Sequence, residues 1–313
     1  MGLGTPYVNV PMLFSAPTGV SWRLIPNPKA SQKEVEAEAT NVAWRATSMI
    51  DTYANQPLRS TINTEELTGP GLRVGFQPNT DIGQLVMRRW PVTQVLAVQT
   101  SPNRLFPRQW TQVPSSQYEI EHPLINVATD TAAADGPDGG SSILLAPGVL
   151  ARGCGRNYLR LLVSYTNGWP HTSLTATAAQ NAQTLYVDDV TGWAGASGFV
   201  YDGGQTEPVS VLSVSADSPL PLPNGVGTAQ TGPGTVTLTS PLTYQHTQGV
   251  VVSALPANVM WATVMAAMTQ ALTSGITAIT IQTLPGSEQS SGTSVEELQT
   301  HWELLLEPFR RIV

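Results

Sequence analysis

Residues 256–274 read PANVMWATVMAAMTQALTS and run into Gly275. Proline suits the first helical turn, where its missing N–H has no partner to lose, and glycine just past the end suits a left-handed cap. Met260, Val264, Met268 and Leu272 recur at helical spacing, while Trp261 and Met265 give a second apolar flank. The stretch carries no charge. A helix apolar on more than one side is covered on more than one side, by its own fold, by neighbouring subunits or by lipid. Asn258, Thr263, Thr269, Gln270 and Thr273 interrupt it and no basic residues flank it, which argues against a membrane span. The expectation is a central helix of a soluble protein.

Downstream, 276–284 (ITAITIQTL) alternates like a strand. It either joins a sheet of its own chain or adds to that of a neighbour. A polar linker over 287–293 precedes a last helix over 294–309. Ser294 and Glu297 form its capping box, and Val295, Leu298, Trp302, Leu305, Leu306 and Phe309 its apolar stripe. Arg310 and Arg311 favour the negative end of its dipole. Upstream, 31–54 is the clearest helix, with a Ser31–Glu34 box and a stripe through Val35, Ala39, Val42, Ala46, Met49, Ile50 and Tyr53.

Between the first helix and the central one the pattern is β. Short strands are expected over 60–67, 72–76, 85–90, 92–98, 109–113, 118–120, 143–145 and 158–165, with a loop over 128–142. Residues 171–254 differ, with strands near 174–177 and over 184–187, 199–201, 209–214, 235–238 and 250–252 between Gly- and Pro-rich turns. They read as a small sandwich or barrel inserted in a loop of a host domain. The first 30 residues hold five prolines and read as extended pieces. They form either an arm lying on a neighbour or an edge hairpin.

Only 12 % of the 313 residues are charged, well under the usual share, which suits β-rich structure or surfaces buried in an assembly. Residues 161–309 hold ten acids and no base, for a charge of −10, whereas 1–160 carry +1. A DNA-recognition domain has the opposite sign. The lone Cys154 excludes an intrachain disulfide, and the opening MGLGTPYVNVPMLF matches neither a signal peptide nor a myristoylation pattern. No phosphate loop, GxSxG, HExxH or CxxC is present, and His122, His171, His246 and His301 are scattered, as surface or half-buried residues rather than ligands. Asp188, Asp189, Asp202 and Glu207 could converge on a calcium ion or simply form turns. Trp90, Trp110, Trp169 and Trp193 could line a sugar-binding face or anchor cores. Arg88 and Arg89, beside Trp90, could meet phosphate or a partner carboxylate, or line a solvated strand face. No enzymatic site, cofactor or metal is expected.

Several motifs resemble the head–tail connector (adaptor) proteins of tailed bacteriophages. They are Ser48-Met49-Ile50-Asp51-Thr52-Tyr53, Pro57-Leu58, Trp90-Pro91-Val92, Tyr165-Thr166-Asn167-Gly168-Trp169 and Leu305-Leu306-Glu307-Pro308-Phe309-Arg310-Arg311. The resemblance covers residues 31–170 and 255–313, and the 171–254 insert departs from it. It implies an α+β fold, in which a helical adaptor core with short antiparallel strands (31–170 plus 255–313) follows an extended arm (1–30) and carries an all-β insert. It further implies a non-enzymatic structural protein of the virion neck, assembled in the bacterial cytoplasm as a ring, commonly of twelve copies. Such a ring binds the portal protein on one side and a tail-side neck or tail-terminator protein on the other, and forms part of the channel for double-stranded DNA. No membrane is involved. Contacts to neighbours or portal are expected from Ile276, Ile279, Ile281, Leu284, Trp302, Phe309, Arg310 and Arg311. The alternative is a carbohydrate-binding or capsid/tail decoration protein that uses the β module.

Overall fold

The computed structural model describes residues 4–18, 20, 22, 26–27, 29–68, 83–101, 109–120, 142–145, 160–273 and 295–311. The N-terminal stretch is not the extended arm expected. Val10–Ser15 forms a short helix, α1, whose N-cap Asn9 accepts the Met12 amide at 3.0 Å, with Pro11 in the first turn. Proline breaks helices only where its N–H is needed, and the first turn does not need it. Tyr7, Val8 and Leu13 are fully buried in the chain's own core, so the arm packs at home. Helix α2 (Gln32–Ala54) follows, with both halves of the Ser31–Glu34 capping box formed. It stops where Asn55 turns left-handed.

The host sheets are antiparallel. Their strands are β1 (Thr61–Thr68), β2 (Gly83–Val86), β3 (Val92–Ser101), β4 (Thr111–Gln112), β5 (Tyr118–Ile120), β6 (Ser142–Leu145) and β7 (Arg160–Asn167). One sheet has the order β1-β7-β3-β4 and a smaller one β2-β6-β5. Met87, Val98, Leu161, Val163 and Tyr165 form a core cluster there. The strand expected over 85–90 ends at Val86, and Arg88 to Trp90 form a bend leading to β3. The strand expected over 72–76, His122, Cys154 and all but the last residue of the loop expected over 128–142 lie outside the described residues; that last residue, Ser142, opens β6.

Eight strands follow: β8 (His171–Ser173), β9 (Thr184–Val187), β10 (Ser197–Tyr201), β11 (Glu207–Ala216), β12 (Leu220–Pro221), β13 (Thr228–Ala229), β14 (Gly234–Leu238) and β15 (Val251–Ser253). Six make an antiparallel sheet ordered β8-β15-β10-β11-β14-β9. The sheet curls until its edges meet. Leu174 bridges Val187, the Thr175 amide donates to the Tyr186 carbonyl at 2.9 Å, and the Asp188 amide to that of Ser173 at 3.0 Å. Alternate residues of β9, β10 and β14 point inward onto Trp193 and a Leu/Val cluster. Both ends of the module lie together, for the Ala254 amide donates to the Pro170 carbonyl at 2.8 Å. The β12–β13 hairpin instead lies on the host sheet: Leu222 and Ala229 pack with Ala97, and Asn224 Nδ2 donates to Gln99 Oε1 at 2.6 Å.

The quoted stretch is helix α3 (Ala257–Thr273). Pro256 sits just before it, its carbonyl accepting the Val259 and Met260 amides. Helix α3 packs between α2 and α4 (Val295–Leu306), the latter prolonged by a tight turn over Glu307–Phe309. Ten of its residues are buried, so most of its apolar surface is covered by its own fold. The hydroxyls of Thr263 and Thr269 donate to the carbonyls of Val259 and Met265 at 2.8 and 3.0 Å, which lets threonine enter this core. Among the described residues no helix is long and apolar enough to cross a membrane. The expected 276–284 strand and the Ser294 cap lie outside them.

Candidate functional site

The motif residues, scattered over some 260 positions, meet at one junction at the C-terminal end of α2. The Tyr7 hydroxyl donates to Asp51 Oδ1 and accepts the backbone amides of Leu58 at 2.8 Å and Arg59 at 3.1 Å. Burial, then the Asp51 charge, holds the Tyr7 phenol well above its usual range, so the proton stays on tyrosine. Burial also raises Asp51 itself, against the opposing hydrogen bonds from Tyr7 and Leu58 and the Arg59 charge. The Trp169 amide donates to the Leu58 carbonyl at 2.9 Å, the Ser60 amide to the Trp169 carbonyl at 2.8 Å, and the Gly168 amide to the Pro91 carbonyl at 2.9 Å. Trp169 meets Phe309 edge-on at 5.5 Å, and Tyr53 meets Trp302 likewise at 5.6 Å. Finally, the Arg311 amide donates to the Ala54 carbonyl at 3.0 Å and supplies a partner at the end of α2.

This geometry revises several assignments. Trp302 and Phe309, expected at a contact between subunits, are buried in the chain's own core. Arg310 is exposed and lies over the Tyr53 ring at 5.4 Å, and the Arg311 side chain is half-buried. Ile276, Ile279, Ile281 and Leu284 lie outside the described residues. Trp193 is fully enclosed by the barrel and Trp169 is buried at the junction, so neither lines a sugar-binding face.

The four acids do not gather. Asp189 Oδ1 accepts the amides of Thr191 and Gly232 at 2.9 and 3.0 Å, closing a loop. Asp202 and Glu207 face opposite nitrogens of His246. Among the described residues no group of three or more His, Cys, Asp or Glu is arranged to hold a metal ion. Arg88 and Arg89 are tied through their backbones, the Arg88 amide to the Glu65 carboxylate at 3.2 Å and the Arg89 amide to the Tyr165 hydroxyl at 3.3 Å.

Two clefts open where arm, helices and β module meet. The first, about 410 Å³, is lined by Met12 and Ala16 of the arm, Tyr201 at the end of β10, and Met260, Trp261 and Val264 of α3. Among the described residues no charged side chain lines it. Trp261 of α3 is 40 % exposed there; Phe14 of α1, which is not one of the lining residues, is 37 % exposed. The second, about 330 Å³, lies between Val8 and Asn9 of the arm, Thr40 of α2, and Asp202, Gln248 and Val250 of the module. The second apolar flank of α3 pointed to Trp261. Nothing in the sequence signalled that three distant segments would frame it.

Two histidines expected near the surface, His171 and His246, are buried. His171 Nε2 donates to the Pro6 carbonyl at 2.9 Å, leaving Nδ1 to accept from Ser253 Oγ at 2.9 Å, which joins arm and module. Burial lowers its pKa to about 4, against the Pro6 hydrogen bond and helped by the Arg59 charge. The sign follows from the unfolded chain, which takes a proton near pH 6.5 while the folded chain refuses it until about pH 4. Unfolding free energy is therefore expected to fall by up to about 3 kcal/mol as pH drops from 6.5 to 4. Urea titrations of wild type and His171→Gln across that window test this, and equal slopes for the two would refute it.

The chain is thus an α+β protein of mixed helices and antiparallel sheets, one of them curled towards a barrel. No protein-family model, curated protein or solved structure matches it.

Proposed function

We propose that the chain is a structural, non-enzymatic ring subunit of a tailed-phage neck, joining the capsid portal to the tail. The observation that carries this reading is the cleft, lined among the described residues by no charged side chain, that leaves Trp261 in water on a helix whose apolar surface is mostly covered. Apolar surface of that kind marks a protein–protein contact. The phage motifs add support, because they converge on one junction instead of scattering over the surface. In a ring, the cleft of each subunit receives a different face of the next, a heterologous contact repeated by rotation. The helical layer of α2, α3 and α4 is the adaptor core in this reading. The base-free 161–309 stretch supplies surface with little hold on a passing phosphate backbone.

The test is light scattering and negative-stain imaging of the purified chain, alone and mixed with portal rings. Association is expected in at least the second case, and Trp261→Ser is expected to weaken it about thirtyfold, the effect of losing one aromatic hot spot. A chain that remains a monomer under both conditions refutes the reading.

A further inference from the structure

The bend between β2 and β3 is held by three consecutive backbone amides, each on a side chain from a different part of the host. Arg88 donates to the Glu65 carboxylate of β1 at 3.2 Å, Arg89 to the Tyr165 hydroxyl of β7 at 3.3 Å, and Trp90 to Gln56 Oε1, just beyond α2, at 3.3 Å. Met87 and Pro91, on either side, are buried. The backbone is therefore fixed, and it displays two adjacent guanidiniums, Arg88 exposed and Arg89 half-buried. Among the described residues neither forms an ion pair. Arg45, Arg160 and Arg310 already face Glu38, Glu66 and Glu307, and Lys33 stands beside Glu34 and Glu36. A display set before binding loses little freedom on binding, and guanidinium groups match carboxylates.

The complementary surface is on α4. Its buried residues, Leu298, Trp302 and Leu306, occupy one side, and Glu296, Thr300, Glu303 and Leu304 fall on the other by helical spacing. Leu304 is 71 % exposed, more than any other large apolar side chain described. Glu296 forms no ion pair among the described residues, and Glu303 Oε1 accepts a neutral donor, Gln299 Nε2, at 2.8 Å. Residues 161–309 contain no base, so α4 holds nothing that could neutralise this face. An apolar anchor flanked by carboxylates calls for cations carried on apolar stems, and two adjacent arginines are such cations.

The geometry points to a charged contact between two copies of this chain: the bend at Arg88 and Arg89 of one lies on the 296–304 face of α4 of the next, with guanidiniums on the carboxylates and arginine stems over Leu304. The two patches differ, so the contact is heterologous and can be repeated by rotation. It rests on the ring reading above and adds to the uncharged cleft a pairing of opposite charges, which fixes which face meets which.

Charge-swapped full-length chains, followed by analytical ultracentrifugation alone and with portal rings, test this contact. Arg88→Glu and, separately, the pair Glu296→Lys and Glu303→Lys are each expected to weaken association about tenfold. An equimolar mixture of the two variants is expected to recover wild-type association, because alternating copies set every swapped charge opposite its complement. A variant that had merely misfolded could not be rescued in this way. Variants that associate as well as the wild type overturn the contact and leave the ring reading standing. Weakened association that the mixture fails to recover also overturns it, and gives the arginines to a different acidic partner. A wild type that never associates ends both readings.

Discussion

Gly168→Ala is expected to cost about 4 kcal/mol or more, a large share of the roughly 5–15 kcal/mol that holds a typical domain folded. Gly168 lies at φ +83°, where an L side chain costs about 1–2 kcal/mol from backbone sterics alone. The larger part comes from what surrounds it. A Cβ there would sit 2.5 Å from the Arg59 carbonyl oxygen and 2.8 Å from that of Leu58. Both are main-chain atoms, and neither can swing aside. Leu58 is held by the Trp169 amide and the Tyr7 hydroxyl, and the strand beyond it by the bond from Ser60 to Trp169. Any relief must move the arm, the end of α2 and β7 together. Gly225 is the internal control. It too has positive φ, at +70°, but nothing within 4 Å of its would-be Cβ, so Gly225→Ala is expected to cost only about 1 kcal/mol. Urea unfolding midpoints of the two variants give the comparison. Equal losses would show that the junction is not tightly packed.

That junction also marks how far the sequence could be read. Local chemistry was legible. Both halves of the Ser31–Glu34 box are formed, and strands 118–120 and 184–187 appear at the expected bounds. These features depend on residues three or four apart, or on alternation within one strand. The strands within 171–254 were legible for a related reason, because alternation and turn chemistry are local. The arm was misread because five prolines signal breaks without saying which of them occupies a first turn. Residue type also says little about which buried groups find partners far away. Tyr7 reaches Leu58 and Asp51, and His171 reaches Pro6, across 44 to 165 positions. The same limit hid the first cleft, whose walls come from α1, α3 and the β10–β11 turn. Apolar periodicity identifies a face but not its companion, and so it assigned Trp302 and Phe309 to a partner when the chain covers them itself.

Trp193→Ala is expected to cost about 3–5 kcal/mol, the range for removing a buried tryptophan without full collapse of the space it leaves. Trp193 has no solvent exposure and is the largest fully buried side chain among the described residues. It lies within the curled sheet among Leu174, Leu185, Val187, Val200 and Val252. Collapse around the vacancy is restricted, because the meeting of sheet edges at Leu174 and Val187 fixes the girth of the wall. Trp193→Phe is expected to be milder, below about 2 kcal/mol, since it keeps much of the apolar volume. It also sacrifices no hydrogen bond to the described residues, among which the indole N–H has no partner. Denaturant unfolding followed by near-ultraviolet circular dichroism measures both. The order of the pair separates a core anchor from a ligand platform. For a core anchor, stability falls with lost volume, so alanine costs far more than phenylalanine. For an exposed stacking residue, both substitutions would leave the unfolding midpoint near the wild-type value while abolishing saccharide binding. Loss of binding with unchanged stability would restore the carbohydrate reading of the module, whereas loss of stability graded by size would make Trp193 the residue around which the barrel closes.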